Sequence, residues 1–471
     1  MSLKKIIVNA VLLFLTVGCT SMRFNDFFMG YAVQMNDVVT QVNMGQFEQA
    51  KLQMPAFDSG HNAFNLSLLE LGRLAFLMED WRQSQQLFAQ AYNEIEQQNQ
   101  KAKLQISRGV ENLSAVVSND SALSYRIPAY EQTMLHSYQA LNYLFQRDLE
   151  GALVEVRRAN LVQETALKQY EKQLLDAKES LLAKGLDLQS LYSSYPNMDD
   201  TIGQIKNSFQ NAFTFYLSGV LYEANGDLDS AYIDYKRAID IFPDNLYLQK
   251  DVIRLANQLG RNEEKEKFEQ KFGVVEQVSN AKQADVVVFF EQGLVNAKQE
   301  LAVNLPIFTR HNDMRFFSFA LPAYQQSSSM LTSVNISVGN QEFQAASIVN
   351  LLALANQSLK EQLPEMVTRQ ALRIVAKEEM RRKMQKEGGD VGNILAGLYS
   401  LASERADTRS WLTLPHDITM ARFSLPAGSH QLEFNTGYQR IPMQITAQAN
   451  KTLIVYVNNI GNKMTSHYVV L

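Results

Sequence analysis

The chain has 471 residues, with 44 Lys or Arg set against 49 Asp or Glu, a balance that argues against nucleic acid as the main partner. Its single cysteine excludes an internal disulfide. The length leaves room for two or three domains, each with its own core.

The first residues, MSLKKIIVNAVLLFLTVGCTS, place Lys4 and Lys5 ahead of an apolar run from Ile6 to Leu15 that only Asn9 interrupts. The run falls short of the roughly 20 apolar residues that span a bilayer. Small Gly18 precedes Cys19. Residues 1–18 resemble a bacterial lipoprotein signal in which the cysteine is lipidated and becomes the first mature residue. Thr16 stands where such signals usually carry Leu, although Leu15 is adjacent. An ordinary cleaved signal, or an uncleaved anchor with an incidental cysteine, is the competing reading. Thr20 follows the cysteine, with no Asp there, so the resemblance implies delivery to the outer membrane, facing the periplasm. Stable anchoring takes several acyl chains, and the covalent lipid on Cys19 is the only non-protein group expected. Residues 19–29 then act as a short tether.

Residues 30–271 read as a helical repeat array. In and just before SGVLYEANGDLDSAYIDYKRAIDIFP (218–243), the residues Phe215, Gly219, Tyr222, Ala231, Tyr235, Ala238 and Pro243 fit the 34-residue tetratricopeptide spacing. Gly219 and Ala231 are small because two helices cross there, Gly226-Asp227 makes the turn, and Pro243 closes the unit. Leu68, Leu71, Gly72, Ala75, Ser84, Phe88 and Ala91 repeat the pattern. So do Tyr143, Asp148, Ala152, Val156 and Ala159, and more briefly Gly45, Phe47 and Ala50. Residues 98–130 lack it, and a charged amphipathic helical insertion is expected near 161–205. Stacked hairpins of this kind create a groove for an extended peptide or a partner's helix. Arg73, Ser137, Tyr216 and Glu223 fall at positions that face inward, either as partner-binding residues or as plain solvated surface.

From residue 272 the periodicity shifts to strands. ADVVVFFEQG, QELAVNLP, MRFFSFALPAY and LTSVNISVG are rich in Val, Phe and Ile and punctuated by Gly and Pro. Residues 341–403 read as a helical insertion, and 417–471 as strands again, with a Pro-Ala-Gly hairpin turn in RFSLPAGSHQLEF. The fold class is therefore α+β and multidomain: a tetratricopeptide-like array, then an antiparallel β-sandwich-like domain over 272–471 with a helical insertion. The inserted helix 368–389 carries seven Lys or Arg against three Glu, a net +4. It reads either as a solvated face or, through Arg381 and Arg382, as a contact for an anionic lipid or glycan. In ADTRSWLTLP, the residues Asp407, Arg409 and Trp411 either pack a loop onto the sandwich or build a recognition site in which Trp or Arg stacks on a ligand.

Taken together, the Cys19 signal, RIPAYEQTMLHSYQALNYLFQRDLEGALVEVRRA, the 218–243 repeat and ADTRSWLTLP resemble a family of proteobacterial lipoproteins with tetratricopeptide-like repeats, over essentially the full length. That resemblance implies an architecture and an address, with a hint toward peptidoglycan assembly, and no activity. Catalytic motifs are missing: the six histidines are scattered, and neither a phosphate loop nor a Gly-x-Ser-x-Gly elbow occurs. No metal site or cofactor is expected. Two suitably spaced acids would suffice for a glycan hydrolase, which stays the least favoured reading. The leading expectation is a non-enzymatic, lipid-anchored outer-membrane scaffold that binds envelope proteins through the groove. The alternative is a module that contacts peptidoglycan or lipopolysaccharide through its C-terminal domain.

Overall fold

In the computed structural model, which describes residues 30–107, 123–182, 188–274, 283–308, 314–325, 332–374, 405–437 and 439–471, the first half is a stack of antiparallel helical hairpins. Its helices are α1 (Tyr31–Gln34), α2 (Asn36–Asn43), α3 (Phe47–Leu52), α4 (Phe64–Leu77), α5 (Trp81–Ser107), α6 (Ala129–Phe145), α7 (Leu149–Leu182), α8 (Leu188–Ser193), α9 (Asp199–Ile202), α10 (Ala212–Ala224), α11 (Leu228–Ile241), α12 (Leu246–Gln258) and α13 (Asn262–Phe272).

Three of the hairpin turns share one device. In each an aspartate caps the second helix, accepting the backbone N–H three residues on: Asp80 from Gln83, Asp148 from Gly151 and Asp227 from Ser230, at 2.8–3.1 Å. The residue before each aspartate is left-handed, with φ of 62° at Glu79, 64° at Arg147 and 84° at Gly226. Close helix crossing has a similar signature. A Cβ on Gly219 would lie 2.5 Å from the Tyr235 ring, and one on Gly72 would lie 2.7 Å from Phe88, sixteen residues on in both cases. The third hairpin holds the same register with Ala140 and the smaller Val156, both buried.

The second half contributes β1 (Gln283–Gln292), β2 (Lys298–Phe308), β3 (Met314–Tyr324), β4 (Asn335–Val338), β5 (Gln341–Gln344), β6 (Ala346–Asn350), a helix α14 over 351–374, β7 (Asp417–Pro426), β8 (Gly428–Asn435), β9 (Arg440–Ala447), β10 (Thr452–Ile460) and β11 (Lys463–Val470). A five-stranded sheet runs β11-β10-β1-β7-β6, a four-stranded sheet runs β5-β4-β8-β9, and β2-β3 form a separate hairpin.

Three sequence expectations need correction. The larger sheet is mixed, because β1 pairs parallel with β10 from Asp285 to Gln292; this central strand is buried on both faces, which explains its unbroken VVVFF run. The Pro426-Ala427-Gly428 turn is an arch between sheets, since β7 pairs with β1 and β6 while β8 pairs with β4 and β9. Residues 341–350 are strands β5 and β6, so the helical insertion begins at 351.

Three cores follow. One face of the larger sheet (Val286, Val288, Phe423, Val455) packs against β4, β8 and β9 through Ile336, Phe434 and Ile445. The opposite face (Val287, Phe289, Ile418, Tyr456) shares a single core with the helical array. A smaller core joins α8 and α9 to β2-β3 and α14.

The sheet is clasped at both ends of the array. Near the C-terminal end, Asn245 and Tyr247 donate to the carbonyls of Ser347 and Gln344 at 2.8 and 2.7 Å. At the other end the β10-β11 turn meets α2, where Asn462 N–H donates to the Asn43 carbonyl at 3.0 Å. Gly461 there has φ of 61°, and a Cβ added to it would collide with the Asn43 backbone. Gly461→Ala is expected to destabilise the chain by about 2 kcal/mol or more, adding left-handed strain to the collision. Thermal unfolding and protease accessibility over residues 31–60 would check it; unchanged values would refute the clasp.

Candidate functional site

Along the first helices of the array, side chains facing inward meet the sheet. Arg73 (α4), Ser137 (α6) and Tyr216 (α10) are each at 0 % exposure. Arg73 pairs with Glu291 of β1, donates from Nε to the Thr413 carbonyl at 3.3 Å, and stacks over the Tyr138 ring at 4.5 Å. Glu291 also accepts from the hydroxyls of Tyr138 and Tyr456, at 2.6 and 2.5 Å. Ser137 donates to the Thr133 carbonyl and lies 3.0 Å from the Thr214 hydroxyl, so it joins α6 to α10. Tyr216 donates to Asp251 at 2.7 Å and sets its ring edge-on to Phe289. Glu223, partly exposed, accepts from Arg254 at 2.5 Å and from Arg422 of β7 at 2.9 Å. The expectation of an open binding groove at these four residues is thus corrected: the chain's own strands β1, β7 and β10 fill it. The physical reason is apolar supply, since the sheet's second face would otherwise expose Val287, Phe289 and Ile418.

An irregular strap, residues 405–416, completes the filling. At its centre the backbone N–H groups of Trp411, Leu412 and Thr413 are taken up by two buried carboxylates rather than by a strand. Glu70 accepts from Leu412 N–H at 2.7 Å, Thr413 N–H at 3.1 Å and the Thr413 hydroxyl at 2.6 Å, and also from Tyr31. Glu131 accepts from Trp411 N–H at 3.0 Å and from the hydroxyls of Tyr125 and Tyr130. Trp411 itself is at 0 % exposure, between Phe88 and Tyr138. Arg409 bonds Asp407 at 2.6 Å and the carbonyls of Asn62 and Leu123. Of the two roles open for Asp407, Arg409 and Trp411, the structure shows packing, although the surface they join is the array as well as the sheet. Arg381, Arg382 and Cys19 lie outside the described residues. On α14, Arg369 pairs with Glu365 at 2.8 Å and Arg373 is buried, so this stretch is no uniformly solvated basic face. His416 is buried as well, at 8 % exposure.

The electrostatics follow from burial. It pushes Glu70 up to about 7, outweighing the donors around it, and pushes Glu131 up as well. Burial alone would raise Glu223, but Arg422 and Arg254 outweigh it and hold that carboxyl well below its usual range. For Arg73, burial opposes the charge, and Glu291 together with Tyr138 and Tyr456 more than restores it.

Glu70 carries a pH signature. Unfolded, its carboxyl ionises near 4.5; folded, it holds its proton to about 7. Between those values the folded state binds more protons, so the stabilising contribution is complete below the lower value and lost as pH rises through the upper one. Glu70→Gln should flatten this slope while lowering stability throughout, because an amide nitrogen would face backbone donors. Urea midpoints at pH 5 and pH 7.5 test it; equal slopes for both proteins would refute it.

Chemically, these acids act as acceptors for backbone and hydroxyl donors; Glu70, Glu131 and Glu291 are each at 0 % exposure. Among the described residues, no group of three or more His, Cys, Asp or Glu is placed to hold a metal ion. No described helix is long and apolar enough to cross a membrane.

No protein-family model and no curated protein matches the chain. Among solved structures it is similar to MamA AMB-1, at 13 % identity over 52 % of this chain and 92 % of that one, with a TM-score of 0.28. A likeness that distant carries no argument about function.

Sequence reasoning missed the acids. Glu291 had a usable signal, since strand alternation puts it on the same face as Val287 and Phe289, a charge where a core residue belongs. Glu70 lies one turn from Arg73 in the apolar run LSLLELGRLAFL, a second charge on a buried helix. For Glu131 no comparable cue exists.

Proposed function

We propose that the chain is a non-enzymatic scaffold of the bacterial cell envelope, anchored through lipid on Cys19 at the outer membrane and binding protein partners on its outer surface. The observation that supports this reading is the common core of array and sheet, which makes the repeats a rigid frame and leaves the outward helix faces and the β2-β3 hairpin for partners. The resemblance of the signal region to lipoproteins supports the address, and that of the repeats supports an envelope role, peptidoglycan assembly included.

Crosslinking in living cells tests the reading, with a photo-reactive residue placed in turn at Leu161, Leu246, Phe316 and the buried Tyr216. Leu161, Leu246 and Phe316 are 60–67 % exposed. Discrete envelope proteins captured from outer positions, with none from Tyr216, are the expected result. Capture from Tyr216 alone would restore the groove, and no capture anywhere would reject the scaffold. The anchor has its own check: Cys19→Ser should abolish fatty-acid labelling and move the protein out of the membrane pellet.

A further inference from the structure

On the array, α7, α10 and α11 flank an open cleft of about 330 Å³, lined by Arg157, Leu161, Glu164, Tyr222, Ile233 and Arg237 among others. Its rims are apolar and wet: Leu161 is 62 % exposed and Ile233 49 %. Val154, seven residues before Leu161 and also exposed, continues the stripe along α7. This helix already buries Ala152, Val156 and Ala159 against its own hairpin, so the stripe is a second apolar face.

The charges are uneven in a way that selects an occupant. Arg237 is matched by Glu164 at 2.9 Å and Asp234 at 3.2 Å, and Arg158 by Glu155 at 2.6 Å. Arg157 has no carboxylate partner among the described residues; it donates to the Tyr222 hydroxyl at 3.2 Å and lies over that ring at 5.8 Å. At the cleft wall, Asn160 spends its amide N–H groups on Ser218 and Asp234, while its buried Oδ1 has no hydrogen-bond partner.

We propose that this cleft docks an acidic amphipathic segment of a protein partner, with apolar side chains covering Val154, Leu161 and Ile233 and a carboxylate on Arg157. The proposal rests on the scaffold reading and names its surface. A basic segment would set its cations against Arg157, and an uncharged one would leave that guanidinium without a counterion as the surrounding surface dries.

Two synthetic amphipathic helical peptides serve as probes, one carrying a Leu stripe flanked by Glu and the other the same stripe flanked by Lys. Their binding to the purified full chain is read by fluorescence anisotropy. The acidic peptide should bind and the basic one should not. Arg157→Ala and Leu161→Asp should each weaken binding about tenfold or more, a change of about 1.4 kcal/mol. Both positions are exposed, and circular dichroism would confirm that the variants fold. Equal binding of the two peptides, no binding, or binding indifferent to both substitutions would overturn the proposal. Crosslinks from Leu246 or Phe316 alongside any of those outcomes would leave the scaffold standing and remove only the cleft.

Discussion

Replacing Arg73 with alanine is expected to cost about 3–5 kcal/mol, because it strands the Glu291 carboxylate in a dry core. Both side chains are fully buried, and the pair is the central polar link between α4 and β1. Removing the guanidinium also deletes its contact over Tyr138 and its bond to the Thr413 carbonyl. Array and sheet should therefore loosen together, visible as a lower urea midpoint and as new protease cleavage on both sides of the seam. A second variant separates charge from packing: Arg73→Met combined with Glu291→Gln leaves no uncompensated charge and should recover part of the loss. If the single substitution costs less than about 1 kcal/mol, it behaves as a surface residue would, and the seam drawn above is wrong.

How far the sequence could reach is clear from individual elements. Gly72 and Gly219 were legible because close helix crossing demands a missing side chain, and that demand recurs at fixed spacing. The Asp-capped turns were legible only in part, since Glu79 and Arg147 occupy the left-handed site that Gly226 advertises. Strand identity survived better than strand pairing. Pro426-Ala427-Gly428 is a good turn in either setting, and only the partners of β7 and β8 distinguish hairpin from arch. Inward orientation of Arg73, Ser137 and Tyr216 was local information carried by helical period. What they face was not local: it depends on β1, whose Val287 and Phe289 lie more than seventy residues downstream of Tyr216, having a second apolar face to bury. The same non-local logic hid what Glu70 and Glu131 hold, which includes backbone N–H groups of the 405–416 strap.

Trp411→Ala is expected to cost about 3–5 kcal/mol, the range for emptying a buried aromatic site that cannot collapse. Its walls are Phe88 and Tyr138, at ring-centroid distances of 5.7 and 5.9 Å, and Tyr138 is itself fixed by Glu291. The indole N–H also donates to the Thr413 hydroxyl at 3.0 Å, which in turn donates to Glu70, so the side chain and the strap backbone are held by one acid. Trp411→Phe should cost less, keeping most of the volume and losing one hydrogen bond. Fluorescence gives an independent reading. Trp81 is only half-buried, so the blue-shifted part of the emission should belong to Trp411 and vanish in both variants. The opposite pattern is equally specific: an unfolding midpoint unmoved by Trp411→Ala would make the indole free of the core, and its stacking on a ligand would again be the better account of ADTRSWLTLP. A large shift instead makes the strap a structural bolt, whose release would open the array and unfold the sheet behind it.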